Sequence, residues 1–193
     1  MAKLYFRYGA MDSGKSTAII QVAYNYEEKG SKILLLKPSI DTKGNNCVEN
    51  RSGLKRKVDF LILPNKKITP LIPDNLAAIL IDEAQFLEPK QVDELYRITK
   101  EKNIPVLCYG LRCDFQMKGF PGATRLLLLA DDIEELKTIC SCGKKATQNM
   151  RLKNGKPIFS GDQVLIDGST DKITYESVCG ECYLKLKDKY MSK

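Results

Sequence analysis

Gly9-Ala10-Met11-Asp12-Ser13-Gly14-Lys15-Ser16 decides the fold of this chain. It has the pattern GxxxxGKS, in which glycines let successive backbone N–H groups curl around phosphate oxygens, the lysine reaches the outer phosphates and the last hydroxyl can ligate Mg²⁺. The flanks fit that reading. Upstream, Leu4, Phe6 and Tyr8 alternate with Lys3, Tyr5 and Arg7 and stop at Gly9, the pattern of a short strand. Downstream, Ile19, Val22, Ala23 and Tyr26 form one apolar helical face that runs toward Glu28 and Lys29, with Gly30 as its stop. The positive end of that helix adds its potential to the loop, so Gly9 to Thr17 is a candidate nucleoside-triphosphate cradle. Asp12 opposes an anion there unless its carboxylate turns outward.

Further along, Lys32 to Lys37, closed by Pro38, and Ala77 to Ile81 read as buried parallel strands. Asp41 to Lys57 is polar and basic and reads as a mobile loop, followed by a strand near Val58 to Leu63. Glu88 to Lys102 has helical spacing at Val92, Leu95 and Tyr96; Ile104 to Tyr109 is another strand opening at Gly110. A helix near Ala123 to Leu129 and a strand near Ile133 to Lys137 complete the alternation. The expected class is α/β, a doubly wound parallel sheet flanked by helices. Composition then turns to Cys, Gly and Lys, which divides the chain into 1–137, an ATP-binding α/β domain, and 138–193, a Cys-rich domain whose basic end, Lys185 to Lys193, reads as a solvated tail.

Composition narrows the chemistry. The 193 residues are 43% hydrophobic and 28% charged, and their apolar runs are too short to cross a bilayer. Nothing at the start resembles an export signal, so the expected location is the cytoplasm. A formal charge of +7 favours anionic partners, for which polyphosphate suffices. The absence of histidine excludes imidazole general bases and every zinc site that needs one. Any base must then be a carboxylate, Lys, Tyr or Cys, and Asp82-Glu83, at the end of an apolar strand, supplies two carboxylates. Asp82 is placed to hold Mg²⁺, and Glu83 to take the proton from whatever attacks the γ-phosphorus. Water as attacker makes an ATPase, an acceptor hydroxyl a kinase. Asp41, just beyond a parallel strand's carboxyl end, faces the usual ligand crevice.

Seven cysteines without an export signal do not suggest a disulfide framework. Cys140, Cys142, Cys179 and Cys182 offer four thiolates in two pairs, the set for a structural zinc in a module with little core of its own. The first pair has a spacer of one residue, shorter than the usual two to four. Free thiols are the alternative. Cys47, Cys108 and Cys113 read as unpaired core or loop residues.

Taken together, the phosphate loop with Met11, Asp41-Thr42, Arg51-Ser52-Gly53, Asp82-Glu83-Ala84-Gln85-Phe86, Gly110-Leu111 with Asp114-Phe115, and the cysteine pairs with Tyr175 between them resemble the cytosolic type II thymidine kinases. The resemblance implies a RecA-like P-loop sheet carrying a small zinc-bound domain, whose long loop, the lasso, closes over thymidine. It implies γ-phosphate transfer from ATP to the nucleoside 5′-hydroxyl, with Glu83 as base, Ser16 and Asp82 as magnesium ligands and Asp82 to Gln85 bordering the nucleotide. Met11, Phe86, Leu111, Phe115 and Phe120 match the nucleoside pocket and Tyr175 the lasso tyrosine. A homotetramer and feedback inhibition by thymidine triphosphate are implied as well. The chain departs from the family pattern at Lys43 (usually Arg), Arg112 (usually an acid) and Asn149 (near a usual Thr), and in a longer lasso over Leu165 to Thr174. Two other readings use the same residues. One is a nucleic-acid-stimulated ATPase with a zinc ribbon, against which the basic residues are scattered and no aromatic stacking motif stands out; the other is a nucleotide sensor without chemistry.

Overall fold

A computed structural model describes residues 1–41, 46–163 and 172–191. The central unit runs β1 (Leu4–Tyr8), α1 (Lys15–Glu28), β2 (Ile33–Pro38), a hairpin of β3 (Cys47–Glu49) and β4 (Lys55–Lys57), β5 (Phe60–Ile62), β6 (Ala78–Ile81), α2 (Pro89–Glu101), β7 (Val106–Gly110), α3 (Pro121–Leu129) and β8 (Asp132–Glu135). Six strands form one sheet in the order β5-β2-β6-β7-β1-β8. Every pairing in it is parallel.

The continuous apolar runs have a simple cause: both faces of the sheet are covered. Leu34, Leu36, Ile79, Ile81, Val106 and Cys108 join Val92, Leu95 and Ile98 of α2 and Ala123 and Leu126 of α3. The intervening Leu35, Ala78, Leu80, Leu107 and Tyr109 join Ile19, Ile20 and Ala23 of α1 on the other face. Each fully buried Ile or Leu contributes about 1.5–3 kcal/mol, so pleat and helix period together fix the register. The chain runs outward from β1 to β2 and β5, returns through β6 and β7, and passes back beyond β1 to β8. The carboxyl ends of β1, β6 and β7 therefore open into one crevice near the point where the strand order reverses.

The stretch read as a mobile loop, Asp41 to Lys57, contains the β3–β4 hairpin. Val48 is fully buried against α1, and Arg56 makes a two-point ion pair with Glu27 of that helix. One apolar residue and one ion pair anchor this basic run. Thr42 and Lys43 lie outside the described residues.

Beyond Leu136 come β9 (Thr138–Ile139) antiparallel to β10 (Lys145–Ala146), then the sheet β12-β11-β13 made of β11 (Gln148–Lys153), β12 (Lys156–Ile158) and β13 (Ile173–Val178). Helix α4 (Gly180–Met191) follows, so the segment read as a solvated tail is helical to Met191. The reason is Tyr183, whose ring is buried and whose hydroxyl donates to the Phe115 carbonyl at 2.7 Å. A small core of Cys140, Ala146, Met150, Leu152, Val178, Cys179 and Tyr183 holds this part together. Most of the predicted lasso, residues 164–171, lies outside the described residues. No helix among the described residues is long and apolar enough to cross a membrane.

Candidate active site and cysteine cluster

Between β1 and α1 the chain takes left-handed backbone at Asp12 (φ 64°) and Gly14 (φ 81°). Gly9 is required by crowding: a Cβ there would stand 2.5 Å from the Leu136 carbonyl. Lys15 folds back over the loop, its ammonium donating to the Ala10 carbonyl at 2.8 Å and to the Gly9 carbonyl and Ser13 hydroxyl at 3.3 Å. Asp12 is turned out into an ion pair with Arg51, which removes its conflict with an anion in the cradle. A cleft of about 200 Å³ is lined by Met11, Asp12, Gly14 to Thr17, Glu49, Asn50, Arg51, Glu83 and Leu111. The phosphate loop, Glu83 and the hairpin thus share one opening, with Asn50 donating to the Thr17 hydroxyl at 3.1 Å.

Asp82, at the end of β6, is buried, and its carboxyl is pushed up to about 7, first by desolvation and then by the neighbouring Glu83 charge. Lys15 and Lys37 pull the other way. Asp82 and Glu83 are consecutive in the chain, and carboxylate oxygens are the kind of donor that a divalent cation such as Mg²⁺ takes. Glu83 itself sits in left-handed backbone, φ 49° and ψ 36°, a conformation costing roughly 1–3 kcal/mol in a residue with a side chain. Gln85 fixes the side chain: its Nε2 donates to Glu83 Oε2 at 2.5 Å while its Oε1 accepts the Leu111 N–H at 3.0 Å. Gly110 leaves room for this bridge, since a Cβ there would meet Gln85 Oε1 at 2.5 Å. The carboxylate is therefore held half-buried at the mouth of the phosphate cleft.

The predicted nucleoside residues fall into four settings. Phe86 and Phe120 pack edge to face, ring centroids 5.5 Å apart, beside Leu111, which shares the same core. Phe115 and Tyr175 instead enclose Arg151, whose guanidinium lies 3.7 Å from the Phe115 centroid and donates through Nε to the Tyr175 hydroxyl at 2.8 Å. Met11 borders the phosphate cleft. Asp41 is held at 2.7 Å by the buried ammonium of Lys37. Arg112, one of the departures, lies over the Tyr8 ring.

Sequence reasoning did not single out Arg151, Gln163, Ser177 or Lys37. Arg151 is 1% exposed and donates to the carbonyls of Asp162 and Gln163, while Gln163 donates to Asp114 at 2.9 Å, so together they pin the leg of chain entering the lasso. An arginine in a lysine-rich segment looks solvated until the pairing of Arg151 with Tyr175 across β11 and β13 is known. That pairing has no local signal.

Cys140, Cys142, Cys179 and Cys182 converge with all four Sγ atoms within 4.8 Å of one another, and Cys142 and Cys179 are 3.6 Å apart. Tetrahedral zinc with Zn–S bonds of 2.3 Å puts its sulfurs about 3.8 Å apart, so the donor set fits. The one-residue spacer does not keep the first pair from converging. Backbone donors, that of Cys142 foremost, hold the Cys140 thiol down to about 6, while hydrogen bonds with the neighbouring cysteines, Cys142 first, push the Cys182 thiol up. The Cys182 N–H also points at Cys179 Sγ, at 3.4 Å.

A phosphate loop and acid pair on the carboxyl edge of a parallel sheet define a P-loop nucleotide-binding α/β protein. Comparison with known proteins carries this further. The family model described as thymidine kinase matches residues 2–183. A thymidine kinase of Chromobacterium violaceum is 44% identical over 185 residues, 95% of this chain and 98% of that one. Those of Lactococcus lactis and Legionella pneumophila are 45% and 46% identical, covering 96% and 97% of this chain and 98% and 90% of their own. The chain belongs to the thymidine kinase family.

Proposed function

We propose that this protein transfers the γ-phosphoryl group of ATP to the 5′-hydroxyl of thymidine, or of deoxyuridine, in nucleotide salvage. The observation that carries the proposal is family membership over nearly the whole chain, joined to a carboxylate held at the mouth of the phosphate cleft. Gly9 to Thr17 cradle the phosphates, and Lys15 exchanges the loop carbonyls it now contacts for phosphate oxygens. Ser16 and Asp82 would hold Mg²⁺, which would supply charge neutralisation to the transferring phosphoryl group. Glu83 accepts the 5′-hydroxyl proton as that oxygen bonds to phosphorus and ADP leaves. Met11, Asp41, Phe86, Leu111, Phe115, Phe120 and Tyr175 surround the nucleoside, and zinc on the four cysteines is structural. A cytoplasmic homotetramer, inhibited by thymidine triphosphate spanning donor and acceptor sites, belongs to the same reading.

Incubation with Mg·ATP and thymidine is expected to yield ADP and thymidine monophosphate in equal amounts, with little ADP when thymidine is left out. ADP release stimulated by single-stranded DNA, without monophosphate, would replace the kinase by an ATPase; no turnover under either condition would leave a nucleotide sensor.

A further inference from the structure

Asn149 and Ser177 stand directly opposite each other on β11 and β13, the two long strands beside the cysteine cluster. Both reach out of their own unit to the same residue of the phosphate loop. Asn149 Oδ1 accepts the Met11 N–H at 2.8 Å, and the Ser177 hydroxyl donates to the Met11 carbonyl. Asn149 is 4% exposed, and its Nδ2 donates to the Cys113 carbonyl at 3.1 Å. One buried amide thus ties three segments: the phosphate loop, the chain after β7 that carries Leu111 and Phe115, and the strand preceding the lasso. Met11 is gripped at both polar groups of its backbone, next to the strained Asp12.

We propose that Asn149 and Ser177 are positioning residues, a two-point clamp through which the cysteine-bearing unit sets the phosphate loop and aligns it with the nucleoside side of the cleft. The transfer role rests on the function proposed above; the clamp itself rests on the hydrogen bonds. Holding reactants to within about 1 Å decides rates by factors near a hundred, so a loop that keeps its lysine and glycines but loses its clamp binds nucleotide in more than one pose. Phosphoryl transfer then suffers more than nucleotide binding does. The Asn149 amide does both jobs at once, its oxygen accepting from the Met11 N–H and its nitrogen donating to the Cys113 carbonyl.

The test uses the full-length, metal-loaded protein and three variants: Ser177→Ala, Ser177→Thr and Asn149→Asp, which keeps the acceptor for Met11 but faces Cys113 with a second acceptor. Amide hydrogen exchange is followed over residues 9–16, with β1 and α1 as internal references. Ser177→Ala and Asn149→Asp are expected to speed exchange of the loop at least tenfold with the references unchanged, and Ser177→Thr to restore protection. In the same variants kcat for thymidine is expected to fall about tenfold or more, while the Kd of Mg·ADP at full binding stoichiometry moves less than threefold. Loop exchange equal to that of the parent overturns the clamp, as does faster exchange spread evenly over the chain with a matching loss of binding sites. Thymidine turnover by the parent judges the proposed function separately; loop exchange judges the clamp whichever way that falls.

Discussion

Glu83→Gln is expected to bind Mg·ATP as the parent does and to phosphorylate thymidine about 10² to 10⁴ times more slowly, the range for loss of a general base. The substitution is nearly isosteric. Its amide oxygen can still accept from Gln85 Nε2, so the bridge from residue 83 through Gln85 to Leu111 survives, and with it the left-handed turn that places the side chain. Only the ability to take a proton is lost. The chain has no histidine, Asp82 is buried, and the other carboxylates lining the cleft, Asp12 and Glu49, are ion-paired with Arg51 and Lys55. Rapid-quench kinetics with nucleotide affinity measured in parallel separates the two effects. A turnover number within threefold of the parent would remove Glu83 from the proton transfer.

The second large effect is expected from the metal. Cys179→Ser, or prolonged chelation of the parent, should release about one zinc per chain, lower the helix and strand signal of the C-terminal unit and reduce turnover by at least roughly 10- to 100-fold. The physical reason is the size of the core there: seven buried residues, two of them cysteines of the cluster. Such a unit does not hold its fold without the cross-link. Its loss reaches the active site through defined contacts. Tyr183 lets go of the Phe115 carbonyl, Arg151 of the Phe115 ring, and Asn149 and Ser177 of Met11. The central sheet has its own two-sided core and should stay folded. Zinc assay, far-ultraviolet circular dichroism and turnover on the same sample check this. A variant without metal that keeps parental turnover would show that the cluster does not support catalysis.

The parts legible in the sequence were those encoded by local pattern. The phosphate loop announces itself because its chemistry dictates glycine and lysine at set positions, and β2, β6 and β7 because strands buried on both faces must be apolar throughout. The four cysteines were legible by residue type alone. What stayed hidden depends on pairing between distant segments. The β3–β4 hairpin rests on Val48 and the Arg56–Glu27 ion pair, and α4 on a tyrosine whose partner lies 68 residues away. Arg151 and Asn149 are polar residues inside a strand buried along most of its length, a placement that alternation assigns to solvent. Asn149 was visible as a departure from the family pattern, but its double hydrogen bond was not. Asp41 was singled out for its place at a strand end, whereas its partner, the buried Lys37, went unnoticed in an otherwise apolar strand.

The central claim is that Glu83 receives the proton of the nucleoside 5′-hydroxyl. It is tested most directly by a crystal structure with thymidine and a non-hydrolysable Mg·ATP analogue bound together. A Glu83 carboxylate oxygen is expected at hydrogen-bond distance from the 5′-oxygen, about 2.6–3.2 Å, directly or through one water. A carboxylate directed away from that oxygen in the closed complex, with another group in contact with the hydroxyl, would contradict it.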